Sequence, residues 1–128
     1  MNDITMREIC KRTNVGLGLV NYHFGNMTFT FLFEHYAVSK TSILADMRMP
    51  KENDNTHRTY LAYLPLLAAC RPDWDEETLK RKTLCLISVM QQSVLRYKII
   101  RQSYGIDLTI PEKREAFHQA ILHDILEV

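Results

Sequence analysis

The amino-acid sequence predicts an all-α protein, and three features point to that fold class. Apolar residues recur three and four positions apart along nearly the whole chain, which gives each stretch one apolar face when it is helical. These stretches end at prolines, at glycines or at short polar segments, where helices commonly stop. No stretch alternates apolar and polar residues in the manner of a half-buried β-strand.

Two short helices are predicted at the start of the chain. The first begins at Thr5 and is interrupted by the run 14–16, which ends in a glycine that suits a tight turn. Its apolar face consists of Met6, Ile9 and Cys10.

The second short helix begins near Leu17 and turns Val20 and Phe24 inward. The residues on its outer side are Leu17, Gly18, Leu19, Asn21, Tyr22 and His23. Two short helices joined by a tight turn form a helix-turn-helix, whose second helix enters the major groove of DNA. Tyr22 is also compatible with a place in the core, whereas Phe24 is assigned to the core.

The same residues resemble the DNA-binding domain of TetR-type transcriptional regulators. The resemblance covers residues 3–40, and its strongest part is the run Val-Asn-Tyr-His-Phe-Gly-Asn at 20–26. It implies base contacts from Leu17, Gly18, Leu19 and Asn21, and further DNA contacts from Thr5, Arg7, Tyr22 and His23. Double-stranded operator DNA is therefore the predicted partner.

Departures from the family pattern and a low charge favour a second interpretation, in which the protein lacks competent DNA binding. Met27 stands where the family has a DNA-contacting lysine, and Gly16 stands where it has a serine cap. Only four residues precede Thr5, so we expect the helix that precedes the motif in the family to be absent. The net charge of +1 is low for a nucleic-acid-binding protein, because affinity rises with each neutralised phosphate. The low charge therefore indicates either DNA binding as a dimer, which doubles the contacts, or no DNA binding at all.

Four further helices are predicted behind the motif. They span residues 28–49, 56–70, 73–104 and 109–126. The first ends before Pro50, the second contains Pro65 and the third stops at Gly105. Asp73 is the predicted N-cap of the third helix, and the fourth begins with the capping box Thr109–Glu112.

We divide the chain into two parts, named here the head and the body. The head, residues 1–45, holds the helix-turn-helix and the connecting helix. The body, residues 46–128, is assigned to dimerisation and ligand binding, and the polar stretch 51–55 is the predicted linker inside it.

The last two predicted helices are apolar around much of their circumference, more than a small body can cover alone. We therefore predict a homodimer, and the resemblance implies a four-helix bundle made of two helices from each subunit. The predicted interface residues are Leu86, Met90, Val94, Tyr97, Phe117, Ile121 and Ile125. The same residues would also form the core of a monomer.

The resemblance further implies a small-molecule effector bound within the body. Apolar side chains with a few phenol and indole donors suit such a pocket. The candidates are Tyr60, Tyr63, Leu64, Leu67, Trp74 and Met90. An aromatic-rich helix is also typical of an ordinary core, and this alternative stays open.

Catalytic, metal and membrane functions are not predicted. His118 and His123 are five residues apart, which does not place two imidazoles on one helical face, and the three cysteines are far apart. We therefore predict no enzyme, no metal and no cofactor. No apolar run approaches the about 20 residues that span a bilayer, and the start lacks a signal-peptide pattern, so we predict a cytoplasmic protein without a membrane partner.

Together these observations predict a DNA-binding transcriptional regulator, a repressor of the TetR type that a small-molecule ligand releases from operator DNA. The alternative is a truncated TetR-like interaction protein that dimerises but lacks competent DNA binding.

Overall fold

The computed structural model describes residues 27–127, where the chain forms six helices and no strand. The helices are α1 (27–34), α2 (Tyr36–Arg48), α3 (Asn55–Cys70), α4 (Glu76–Leu95), α5 (Tyr97–Tyr104) and α6 (Pro111–Leu126). The prediction of an all-α fold is confirmed for this part of the chain. The predicted helix-turn-helix at 5–26 lies outside the described residues.

The connecting helix, predicted as one piece, is divided at His35. Only this residue leaves helical geometry, with φ −113° and ψ 49°, and Tyr36 resumes the helix. The amide of His35 still donates to the carbonyl of Phe31, and the amide of Ser39 donates to the carbonyl of His35. Helical hydrogen bonding therefore crosses the break. As predicted, the helix stops just before Pro50.

Two predicted helix caps are wrong, because the side chain two residues earlier binds each capping group. Asp73 does not cap α4, since its carboxylate accepts two hydrogen bonds of 2.8 Å from Arg71. Asp75 caps the helix by accepting from the amide of Thr78 at 2.9 Å. Thr109 does not cap α6, because its hydroxyl donates to Asp107 at 2.6 Å.

The long third helix of the prediction is two helices, α4 and α5, divided at Arg96, where φ is −119° and ψ is 25°. Its predicted end at Gly105 is confirmed, and this glycine has the left-handed φ of 72° that lets the chain leave a helix. The last helix ends at Leu126 as predicted.

The core lies around α4, which packs against α2, α3, α5 and α6. Its buried side chains are Phe29, Tyr63, Leu67, Leu86, Ile87, Met90, Leu122 and Leu126. Phe29 belongs to α1, so the core extends to the N-terminal side of the boundary predicted at residues 45 and 46. Helices α1 and α2 therefore pack together with the helices of the body.

Arg71 joins the end of α6 to the loop between α3 and α4. Its side chain is 7% exposed, donates to the backbone carbonyl of Leu126 and to Asp73, and lies 4.8 Å from the centre of the Trp74 ring. The hydrogen bonds from this guanidinium lower the pKa of Asp73 to about 2. No helix within residues 27–127 is long and apolar enough to cross a membrane.

Candidate ligand-binding site

A cavity of about 430 Å³ lies between α1 and α2 on one side and α3 on the other, with α4 at its base. Cavities of this size hold drug-sized molecules. Its apolar wall consists of Phe31, Leu32, Val38, Ile43, Ala62, Tyr63, Ile87 and Met90. Its polar wall consists of Thr28, Ser39, Ser42, Asp46, Asn55, Thr56, Arg58, Thr59 and Gln91.

The apolar wall runs from a buried base to an exposed mouth. Ile87 and Met90 form the base and are almost fully buried, whereas Phe31 is 55% exposed and Val38 is 70% exposed. Tyr63 is also buried, and its hydroxyl is hydrogen-bonded to Thr28. Burial raises the pKa of Tyr63, so its phenol stays neutral across the physiological range. Large apolar surfaces left in water at the mouth are available to a ligand.

The polar wall is held in place by hydrogen bonds between three helices. One carboxylate oxygen of Asp46, on α2, accepts from the backbone amide of Thr56 at 2.9 Å and from its hydroxyl at 2.7 Å. The side-chain amide of Gln91, on α4, donates to the same hydroxyl at 2.7 Å. The side-chain amide of Asn55 donates to Ser42 at 2.8 Å. These bonds give the polar groups of the cavity a defined orientation.

Asp46 keeps an unused acceptor. Both of its hydrogen bonds end on Oδ2, and its other oxygen has no hydrogen bond or ion pair with the residues that the structure describes. The side chain is half-buried at the edge of the cavity. A ligand in the cavity can therefore reach a carboxylate that is already oriented.

Two of the six predicted pocket residues, Tyr63 and Met90, line this cavity, and the other four do not. Leu67 is buried in the core, Tyr60 stacks on His57, and Trp74 lies under the Arg71 guanidinium. The fourth, Leu64, lies half-buried on α3 outside the cavity.

The face of α3 that opens to the cavity has small and polar residues, whereas the sequence prediction placed aromatic and large apolar residues there. Asn55, Thr59 and Ala62 are spaced four and three residues apart, as expected for one side of a helix. Short side chains on such a face leave space beside the helix. This spacing of short side chains is the sequence feature from which the cavity could have been predicted.

The predicted interface residues lie at different depths. Leu86, Met90 and Val94 fill the core of a single chain, so they present no surface to a second copy, and this corresponds to the monomer-core alternative. The other four keep part of their surface exposed: Tyr97, Phe117, Ile121 and Ile125. The homodimer itself stays a prediction.

The predicted DNA contacts lie outside the described residues. They are Thr5, Arg7, Leu17, Gly18, Leu19, Asn21, Tyr22 and His23. Helix α1, which lines the cavity, follows this segment directly in the sequence.

A buried polar pair on α6 was not predicted. The His118 side chain is 2% exposed, and its ring stacks 5.1 Å from that of Phe29. Neither ring nitrogen has a hydrogen-bond partner among residues 27–127. Burial lowers the pKa of His118 to about 4, so the ring is neutral at physiological pH. One turn earlier, Arg114 donates to the carbonyl of Leu108 at 3.2 Å, and its guanidinium lies 5.3 Å from the centre of the Phe33 ring.

Among residues 27–127, no three metal-binding side chains come together in a way that could hold an ion. Comparison of the chain with protein-family models, with curated proteins and with solved structures gives no match. The resemblance to TetR-type regulators therefore depends on the motif residues alone.

Proposed function

We propose that this protein is a DNA-binding transcriptional regulator of the TetR type, whose hold on operator DNA is weakened by a small molecule bound in the cavity. The observation that carries the proposal is the position of this cavity. It is lined by α1 and α2, the helices that follow the helix-turn-helix motif directly in the sequence.

The position of the cavity suggests how a ligand would act on DNA binding. Thr28 and Leu32 of α1 line the cavity together with Ala62 and Tyr63 of α3, and α4 forms the floor. A ligand between these walls changes the position of α1 relative to α3. Because residue 26 connects α1 to the motif, such a change moves the recognition helix as well. Two recognition helices of a dimer must lie about 34–36 Å apart to enter successive major grooves, so a small shift is enough to weaken binding.

A homodimer is part of this proposal. Phe117, Ile121 and Ile125 follow one another at four-residue spacing along α6, and each is only half-buried within one chain. Side chains at this spacing form a continuous stripe on one side of a helix. A second copy packed against this stripe would remove its remaining apolar surface from water.

The test of DNA binding is a selection from random duplexes with the full chain, followed by affinity measurements at increasing salt. We expect a palindromic site and a steep loss of affinity with salt. Asn21→Ala should change the preferred base, whereas Tyr22→Ala should weaken binding to all sequences about equally. Glu52→Gln changes an exposed carboxylate outside the motif and serves as the control.

If the selection recovers no palindromic site, the proposal of a DNA-binding regulator is refuted. If the protein is nevertheless a dimer, this result would support the alternative, an interaction protein that dimerises without competent DNA binding.

A further inference from the structure

We propose that the cavity between α1, α2 and α3 binds a cationic amphipathic small molecule, an amine with an apolar body, and that Asp46 is the counter-ion of its ammonium group. This inference deepens the proposed function, on which its regulatory meaning rests. Its evidence is the chemistry of the cavity itself.

The base and mouth of the cavity fit an apolar body. Leu32, Ile43 and Met90 give the inner wall a hydrocarbon surface, and the volume of about 430 Å³ is that of a drug-sized molecule. At the mouth, Phe31 and Val38 expose more than half of their side-chain surfaces. An apolar ligand body would cover these surfaces, and removing them from water favours binding.

The polar edge of the cavity fits a cation. Asp46 is half-buried, and two hydrogen bonds from Thr56 fix the direction of its carboxylate. Gln91 in turn holds the Thr56 hydroxyl. The second carboxylate oxygen has no partner and no cation beside it within the described part of the chain. An ammonium group placed there would gain a charge-assisted hydrogen bond without first displacing another partner.

The other charged residue that lines the cavity is Arg58. Its attraction for an anionic ligand is weaker than the attraction of Asp46 for a cationic one. Arg58 is exposed and has no ion pair with a described residue. The field of an exposed charge is screened by water and salt, whereas that of a half-buried charge is screened less. The position of the two charges therefore selects a cation.

The test compares three probes that share one apolar body and differ only in their head group: phenyloctylamine, phenyloctanoate and phenyloctanol. Binding of each to the full chain is measured by calorimetry at neutral pH, without DNA. We expect the amine to bind about five- to tenfold more tightly than the alcohol, and the acid to bind most weakly. Added salt should weaken amine binding and leave alcohol binding unchanged.

Variants connect this preference to individual residues. Asp46→Asn removes the charge but keeps an oxygen that accepts from Thr56, and it should make the amine bind no better than the alcohol. Glu52→Gln removes an exposed carboxylate from the neighbouring loop and should keep the preference for the amine. Ala62→Phe narrows the mouth and should weaken binding of all three probes, which would locate them in the cavity.

Three results would overturn the inference. They are binding of the acid as tight as that of the amine, equal behaviour of Asp46→Asn and Glu52→Gln, and binding of none of the probes. If Asp46→Asn does not fold, the salt dependence of the unmodified chain decides, because a salt-independent preference for the amine would exclude a charge interaction. If the amine binds as expected but the DNA selection recovers no operator, the proposed regulatory function is refuted and the inference about the ligand still holds.

Discussion

Protonation of His118 should make the folded protein sensitive to mild acid. The ordinary pKa of the imidazole is 6.5, and burial lowers it to about 4 in the folded chain. Between these two values the unfolded chain binds the proton and the folded chain does not, so stability falls as the pH decreases through this window. His118 has an ordinary pKa of 6.5, and its contribution to stability is fully present when the pH is above that value. The contribution is lost progressively as the pH falls toward the folded pKa of about 4.

The size of the effect follows from the two pKa values. With 6.5 for the unfolded chain and about 4 for the folded one, lowering the pH from neutral to about 5 should cost about 2 kcal/mol. A small domain has only about 5–15 kcal/mol of total stability, so this loss is readily measured. The carboxylates whose pKa values are lowered, such as Asp73 and Asp54, lose their contributions mainly at lower pH.

The assay is urea unfolding, followed by circular dichroism, of the unmodified chain and of His118→Leu from about pH 8 down to about pH 5. We expect the leucine variant to lack the loss of about 2 kcal/mol that the unmodified chain shows over this range. At neutral pH it should be more stable by about 1–2 kcal/mol, because two nitrogens that have no partner among the described residues leave the core, although the stacking of the ring on Phe29 is lost.

The control is His35→Gln, which removes an exposed histidine and should keep the pH dependence of the unmodified chain. Parallel pH dependence of the unmodified chain and His118→Leu would show that His118 is not a buried neutral imidazole and would refute this reasoning.

Two further predictions concern the end of α6 and its half-buried apolar stripe. Arg71→Ala should lower the free energy of unfolding in urea by about 2–3 kcal/mol, because the contacts to Asp73 and to the Leu126 carbonyl are lost together. Arg71→Lys should recover little of it, since an ammonium group cannot bind the carboxylate with two nitrogens, and full recovery would contradict the role of the guanidinium geometry. Ile121→Glu should convert the proposed dimer to monomer in sedimentation, whereas a Gln102→Glu substitution at an exposed position should not. A dimer that persists in both variants would place the interface elsewhere.

Helix ends could be predicted from the sequence where the signal is local. Proline and glycine act through their own backbone geometry, so the ends at Pro50 and Gly105 were predicted correctly. Caps depend on which partner a side chain selects in the folded protein. Asp73 has a free carboxylate in the sequence but is bound by Arg71 in the structure, so α4 begins at the next acidic residue, Asp75.

The cavity could be predicted only in part, and the reason is distance along the chain. Tyr63 and Met90 stand out as large apolar residues in apolar helices, and both line it. The polar group of Asp46, Thr56 and Gln91 forms only when three helices pack together, and its members lie 10 and 35 residues apart. No pattern of helical spacing connects residues at such separations.

In the proposed regulation, the same hydrogen bonds determine which wall of the cavity moves when a ligand enters. Asp46, Thr56 and Gln91 tie α2, α3 and α4 together at the polar edge. At the other wall, α1 is held by the hydrogen bond between Thr28 and Tyr63 and by the burial of Phe29. Phe29 lies against His118, whose ring nitrogens have no hydrogen-bond partner in the described part of the chain. Moving α1 away from this contact exposes the His118 nitrogens to water, where they can form hydrogen bonds. This gain lowers the free energy needed to displace α1, compared with the helices joined at the polar edge.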